Sequence, residues 1–119
     1  MRTTALALLL ALASTAAAAD VSAEVVQHRF NTKFRAFLSQ DSQSPLPLPQ
    51  IEQAEWRTLK QGRRLQKIYS EPNRFYNGKS YTFTMYRDDQ TGVYYLDAKG
   101  GFWGMEELVF GPMNEDAWQ

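Results

Sequence analysis

The chain has 119 residues, no cysteine, and 13 basic against 13 acidic side chains. The lack of cysteine excludes disulfide bonds and thiol chemistry, and the balanced charge predicts no general affinity for nucleic acid or acidic membranes. The aromatic content is high, with 3 Trp, 6 Tyr and 7 Phe. A chain of this size and composition can bury one ordinary core.

The first 19 residues are predicted to be a cleavable secretory signal peptide. Arg2 gives a positive start, residues 5–13 form an apolar run, and Ala17-Ala18-Ala19 provides small residues at a cleavage site. As a helix the run spans about 13 Å, well short of a bilayer core of roughly 30 Å. We therefore expect cleavage after Ala19, a periplasmic or secreted protein, and no membrane span.

A helix is predicted at the start of the mature chain, between Val21 and Leu38. Asp20 or Ser22 is suited to accept the free amide hydrogens of its first turn, and Glu24 lies near the positive end of its dipole. The apolar residues recur at intervals of three and four, which is typical of an amphipathic helix. They are Val26, Phe30, Phe34, Phe37 and Leu38.

Two less regular segments follow the helix. Residues 39–50 contain Pro45, Pro47 and Pro49, and this alternation predicts an extended, stiff crossover rather than a ligand for an aromatic groove. Residues 51–61 fit either a short helix ending at Gly62 or the beginning of a strand, and the helix is favoured.

From residue 63 onward the pattern is that of a β meander. A first strand begins at Leu65, Asn77-Gly78 marks a tight hairpin, and residues 80–87 alternate between two faces. A second turn covers residues 88–92, a third strand covers 93–98, and the glycines at 100–101 turn the chain again. A last strand is predicted from Phe102 to Phe110, bulged at Gly104 and stopped by Gly111-Pro112.

Together these elements predict one α+β domain over residues 20–112, followed by an acidic tail over residues 113–119 that is loose apart from Trp118. Its N-terminal helix would pack on a four-stranded antiparallel meander sheet. This organisation resembles the helix-on-meander architecture of cystatin-like folds, and the resemblance is one of architecture alone, which hosts many functions. The sheet face opposite the helix would carry Thr82, Thr84 and Tyr86 and would be half exposed.

The charge is unevenly distributed along the mature chain. Residues 20–55 carry a net charge of −2, residues 56–87 carry +7, and residues 88–119 carry −6. One interpretation is a basic face for an acidic partner. The favoured interpretation is that basic and acidic strands lie side by side and form cross-strand ion pairs.

Catalytic and cofactor motifs are scarce. His28 is the only histidine, and one imidazole without a thiol cannot hold zinc or form a recognisable nucleophile and base pair. The Asp88-Asp89 turn with Asp97 lacks the spacing of a calcium loop. The glycines around Phe102 and Trp103 do not open a helix, so they do not resemble a phosphate loop, and these two aromatic residues are predicted to be core. We expect no cofactor and no metal.

The favoured function is a small non-enzymatic binding protein, such as an inhibitor, immunity or accessory module of the cell envelope. Its partner would be a protein or a glycan, because aromatic faces mixed with cationic groups are common at interfaces and at sugar sites. The residues proposed to form the binding surface are Trp56, Arg63, Arg64, Lys67, Tyr86 and Trp103.

Two alternatives remain open on the sequence. The first is an envelope polysaccharide hydrolase or lyase that uses Asp97 with Glu106 or Glu107 as a carboxylate pair. The second is a carrier that holds a small apolar ligand between the helix and the sheet.

Overall fold

A computed structural model describes residues 22–118. The predicted signal peptide and its cleavage site lie outside the described residues, so export stays a prediction. The helices are α1 (Ala23–Lys33) and α2 (Gln53–Gln61), and the strands are β1 (Gln50–Ile51), β2 (Leu65–Tyr76), β3 (Lys79–Asp88), β4 (Tyr94–Gly100) and β5 (Glu106–Met113). Short 3₁₀ turns cover Arg35–Phe37, Phe102–Gly104 and Glu115–Trp118.

The predicted α+β class is confirmed, and the sheet has one strand more than expected. Its order is β1-β5-β4-β3-β2, with every pairing antiparallel. The extra strand is the two-residue β1, which pairs Gln50 with Phe110 and Ile51 with Val109. Such a short strand follows a proline-rich segment and shows no alternation of its own, so the sequence pattern did not reveal it.

Helix α1 covers one face of the sheet, as predicted. Ser22 caps it by accepting the amide hydrogen of Val25 over 3.4 Å, and the regular helix ends at Lys33, earlier than expected. Phe30 is fully buried and its ring lies 6.3 Å from that of Phe83 on β3. The aromatic stripe therefore fixes the helix to the sheet through ring contacts and apolar burial.

The proline-rich segment is the predicted crossover. Leu46 is buried in the core under α1, and its amide donates a 3.0 Å hydrogen bond to the Tyr76 hydroxyl. Pro49 then accepts a hydrogen bond from the Gly111 amide at the far edge of the sheet. The segment thus carries the chain from the α1 side to β1.

Helix α2 covers part of the opposite sheet face. Residues 53–61 are helical, so the favoured reading of this segment is confirmed. Trp56 is its one buried residue, and it forms a second cluster with Tyr95 and Val109. The face predicted to be half exposed is therefore divided between a part under α2 and an open polar part that includes Thr82 and Thr84.

Two predicted turns are present. Asn77 and Gly78 both have positive φ, 53° and 78°, as a type I′ hairpin requires. In the turn between β3 and β4, the buried Asp88 side chain accepts amide hydrogens from Gln90 and Thr91. This carboxylate thereby replaces backbone partners inside the turn.

The C-terminal segment differs from the expected loose tail. Strand β5 continues through the cis Gly111–Pro112 bond to Met113, which is buried. Trp118 is also buried, with its ring 4.8 Å from that of Tyr94. Residues 113–118 therefore belong to the folded domain, because Trp118 closes the core beside α1. Across residues 22–118, no helix is both long and apolar enough to cross a bilayer.

Candidate functional site

The structure separates the six predicted binding residues. Trp56, Lys67 and Tyr86 lie on the α2 side of the sheet, where Lys67 is paired with Tyr86 across the β2–β3 ladder. Trp56 is 0% exposed, so its ring is packing between α2 and the sheet and does not line a surface. Lys60, one helical turn later, covers its outer side, with Nζ 5.7 Å from the ring centroid.

Arg63 and Arg64 lie just after α2, beside the turn between β3 and β4. Arg64 donates a 2.8 Å charge-assisted hydrogen bond to Asp88 and a second hydrogen bond to the Gln90 side chain. Arg63 is exposed and has a positive φ of 57°. Arg64 therefore has a structural role in closing this turn.

Trp103 lies at the other end of the sheet, in the connection between β4 and β5. The prediction that Phe102 and Trp103 are core is wrong: Phe102 is 64% exposed and Trp103 is 80% exposed. Met105 beside them is 85% exposed. We call residues 101–105 the apolar tip, because three large apolar side chains project there without a charged residue between them.

The predicted strand does not form here because of backbone conformation. Gly101 and Gly104 have φ values of 67° and 68°, and Trp103 between them has φ 58°. These left-handed conformations cannot continue a strand. The chain instead makes a 3₁₀ turn, which directs Phe102 and Trp103 outward, with their rings 5.5 Å apart and nearly perpendicular.

Glu106 anchors the base of the apolar tip. Its Oε1 accepts a 3.0 Å hydrogen bond from the Phe102 amide and a 2.7 Å bond from Lys79 Nζ, and its Oε2 accepts a 3.1 Å bond from the Tyr81 hydroxyl. Lys79 and the Phe102 amide together lower the pKa of this carboxyl. The tip is thus tied to β3 by one carboxylate with three partners.

A side chain at position 101 would break this anchor. A Cβ added to Gly101 would lie 2.9 Å from both the Glu106 carboxyl carbon and the Tyr81 hydroxyl. The sequence pattern predicts a turn at this glycine. It does not indicate the Lys79–Glu106 contact, because the two residues are 27 positions apart.

Two ion pairs join the basic segment to the acidic one, Arg64 with Asp88 and Lys79 with Glu106. Neither links two adjacent strands, since Arg64 precedes β2, and β4 lies between the strands of Lys79 and Glu106. The two segments are thus in contact, although these pairs are not the ladder of cross-strand pairs that was expected.

Of the two carboxylate pairs suspected from the sequence, the structure brings together Asp97 with Glu107 but not Asp97 with Glu106. Glu106 faces Tyr81, whereas Asp97 and Glu107 lie on the α2 side, one on β4 and one on β5. Asp97 is 2% exposed, and Lys99 Nζ lies 3.9 Å from Asp97 Oδ2 and 3.8 Å from Glu107 Oε2. We call Asp97 and Glu107 the acid pair.

The pKa values of the two carboxyl groups in the acid pair are shifted in opposite directions. Burial, followed by contact with the Glu107 carboxylate, raises the pKa of Asp97 to about 7. Burial acts in the same direction on Glu107, but the Asp97 carboxyl, Lys99 and Lys60 outweigh it and lower the pKa of Glu107. Of the two carboxyl groups, Asp97 is therefore the one that keeps its proton to the higher pH.

The space between α1 and the sheet is filled by side chains, among them Phe30, Phe83 and Met85, each fully buried. Surface grooves lie on the outer side of α1. One of about 470 Å³ is bordered by His28, Lys33 and Trp118. Residues 22–118 contain no cluster of three potential metal-binding side chains.

No protein-family model matches this chain, and neither the curated proteins nor the solved structures include a significant match.

Proposed function

We propose that the chain is an exported, non-enzymatic binding protein and that the apolar tip is its binding element. The observation that carries this proposal is the exposure of Phe102, Trp103 and Met105 on an anchored hairpin. Contact between three large apolar side chains and water costs free energy, which a partner that covers them would recover. Exposed apolar patches of this kind mark interaction sites in soluble proteins. The export part of the proposal rests on the sequence of residues 1–19.

The partner that fits the tip best is a protein with an apolar cleft. The tip is convex and ends in Trp103, and a tryptophan inserted into a partner pocket is a frequent energetic centre of interfaces. Glu106 holds the backbone at Phe102, so less conformational freedom is lost on binding than for a loose loop. The cations Lys79 and Lys99 flank the base and would form the polar rim.

Arg63 and Arg64 are not part of this binding element. They lie beside the β3–β4 turn, and the seven residues of β4 separate that end of the sheet from the tip. At the rise of an antiparallel strand this is roughly 20 Å. One standard interface centred on Trp103 therefore does not require the arginines.

The hydrolase alternative has one observation in its favour, because the acidities of Asp97 and Glu107 diverge as those of an acid and a base do. Two observations weigh against it. Asp97 is almost completely buried, and the two carboxyl groups are in direct contact. Glycosidases hold their carboxyl groups about 5 Å or more apart to accommodate the substrate.

The proposal is tested by capture from cell-envelope extract with three forms of the protein. Wild type and an Arg63→Glu/Arg64→Glu variant are expected to retain the same partner, whereas a Phe102→Ala/Trp103→Ala variant loses it. Circular dichroism and thermal unfolding would verify that all three are folded. Equal recovery by wild type and the tip variant would refute the tip as the binding element.

A further inference from the structure

The acid pair lies where helix α2 meets the sheet. Trp56 is the only buried residue of α2, and its indole Nε1 is buried without a well-formed hydrogen bond. The same is true of Asp97 Oδ1 and Glu107 Oε2. The Trp56 indole is close enough to Glu107 to lower its pKa. The contact that holds α2 on the sheet is therefore made next to the acid pair.

Two ionised carboxylates cannot hydrogen-bond to each other, because each is only an acceptor. If Asp97 carries a proton, its hydroxyl donates to Glu107, and one negative charge is removed from a side chain that is 2% exposed. If that proton leaves, two like charges remain side by side and the one on Asp97 is almost completely buried, a costly arrangement.

We propose that Asp97 and Glu107 share a single proton at neutral pH and that its release loosens α2 from the sheet. The pair would then act as a pH-sensitive latch for this helix. The proposal is independent of the apolar tip, which lies beyond the end of β4.

Charged and titratable groups face the pair from each neighbouring element. Glu107 faces Asp97 from β5, Lys99 lies on the same strand as Asp97, Lys60 approaches from α2, and Tyr86 lies nearby on β3. The two lysines favour ionised carboxylates. Lys99 is 59% exposed and 3.8–3.9 Å away, so solvent screens much of its effect.

The balance of these groups decides the direction of the pH effect. Burial and Glu107 act more strongly on Asp97 than the two lysines do, and together they raise its pKa to about 7 from an ordinary value of 3.8. The folded protein therefore binds this proton more tightly than the unfolded chain does. The stabilisation that the shared proton provides is present at acidic pH and is lost as the pH rises through about 7.

Hydrogen–deuterium exchange of the purified protein tests the latch. After correction for the intrinsic pH dependence of exchange, protection of the α2 amides is expected to fall by on the order of tenfold between pH 6 and pH 8.5 and then to level off. The reason is that each unit of pH changes the proton-linked equilibrium tenfold only between the ordinary pKa of 3.8 and the raised pKa of about 7. Protection of the α1 amides should change much less. A His28→Asn background serves as the control for the only histidine of the sequence.

Two variants decide the assignment. Asp97→Asn should abolish the fall in α2 protection, whereas the matched Asp89→Asn, in the exposed turn, should retain it. If Asp97→Asn does not fold, Glu107→Gln removes the like charge but not the burial of Asp97, so it should move the fall to lower pH. A wild type without a pH-dependent change in α2, an Asp97→Asn variant that keeps the fall, or a Glu107→Gln variant with the fall at the same pH would overturn the proposal.

Discussion

The indole of Trp56 meets the Tyr86 ring edge to face, with 5.4 Å between the ring centroids. This contact joins α2 to β3, and Tyr95 extends it with a centroid distance of 5.8 Å to the same indole. Two residues that the sequence placed on a binding surface thus meet inside the molecule. The contact between them explains why a helix with a single buried residue remains on the sheet.

Truncation of Trp56 should destabilise the protein strongly, whereas truncation of Trp103 should have little effect on its stability. Trp56→Ala removes a fully buried ring and is expected to lower the free energy of unfolding by about 3–5 kcal/mol. Trp103→Ala removes a ring that is 80% exposed and should change it by no more than about 0.5 kcal/mol. Urea unfolding followed by circular dichroism measures both. Comparable losses in the two variants would contradict the placement of these rings.

Trp118 should be required for stability although it is the penultimate residue of the sequence. Its ring packs edge-on against Tyr94, so Trp118→Ala is expected to cost about 3 kcal/mol or more in the free energy of unfolding. Asp116→Ala is the matched control, since Asp116 is exposed in the same turn. A Trp118→Ala protein with the stability of that control would show that residues 113–118 are the loose tail expected from the sequence.

Glu106 should control the order of the apolar tip more than the stability of the domain. Glu106→Ala removes the acceptor for the Phe102 amide, Lys79 and Tyr81, so faster amide exchange is expected at residues 102–105, and proteolysis there should increase. Glu55→Ala, on the exposed side of α2, serves as the control. Unchanged exchange at the tip would mean that the glycine-rich backbone alone holds its conformation.

Asp88 should make the protein sensitive to acid. Burial opposes its ionisation, but the amides of Gln90 and Thr91 together with Arg64 outweigh burial and lower its pKa below 3.8. Its contribution is therefore fully present above about pH 4 and is lost as the pH falls through the folded-state pKa.

The difference in unfolding free energy between wild type and Asp88→Asn should accordingly shrink from pH 6 to pH 3. Urea unfolding at several pH values measures it, and Asp89→Asn, whose side chain is exposed, should show no such change. A constant difference between wild type and Asp88→Asn across this range would contradict the assigned role of the carboxylate.

Local signals in the sequence were sufficient for most of the fold. The Phe stripe predicted α1, the Asn77-Gly78 pair predicted the first hairpin, and the alternation in residues 80–87 predicted β3. These features depend on residues close together in the chain. Strand β1 and the packing of Trp118 depend on partners far away in sequence, so no local pattern indicated them.

The candidate site was harder to predict for the same reason. Phe102 and Trp103 are residue types that favour strands. Their rings point outward because the backbone around them is left-handed. Trp56 is of a residue type that is common at interfaces, and it is buried only because of where α2 lies on the sheet. The Asp97 and Glu107 pairing was suspected, but the burial of Asp97 follows from the β4–β5 register and the covering helix.

The most direct test of the binding element is photo-crosslinking from position 103 in cells that produce the protein. A photoreactive amino acid in place of Trp103 is expected to give one discrete adduct with a protein partner, and Phe102→Ala/Met105→Ala in the same chain should abolish it. The same amino acid at Asn73, an exposed β2 position, should give no such adduct. An identical pattern from both positions, or no adduct from position 103, would contradict the assignment of the apolar tip as the binding element.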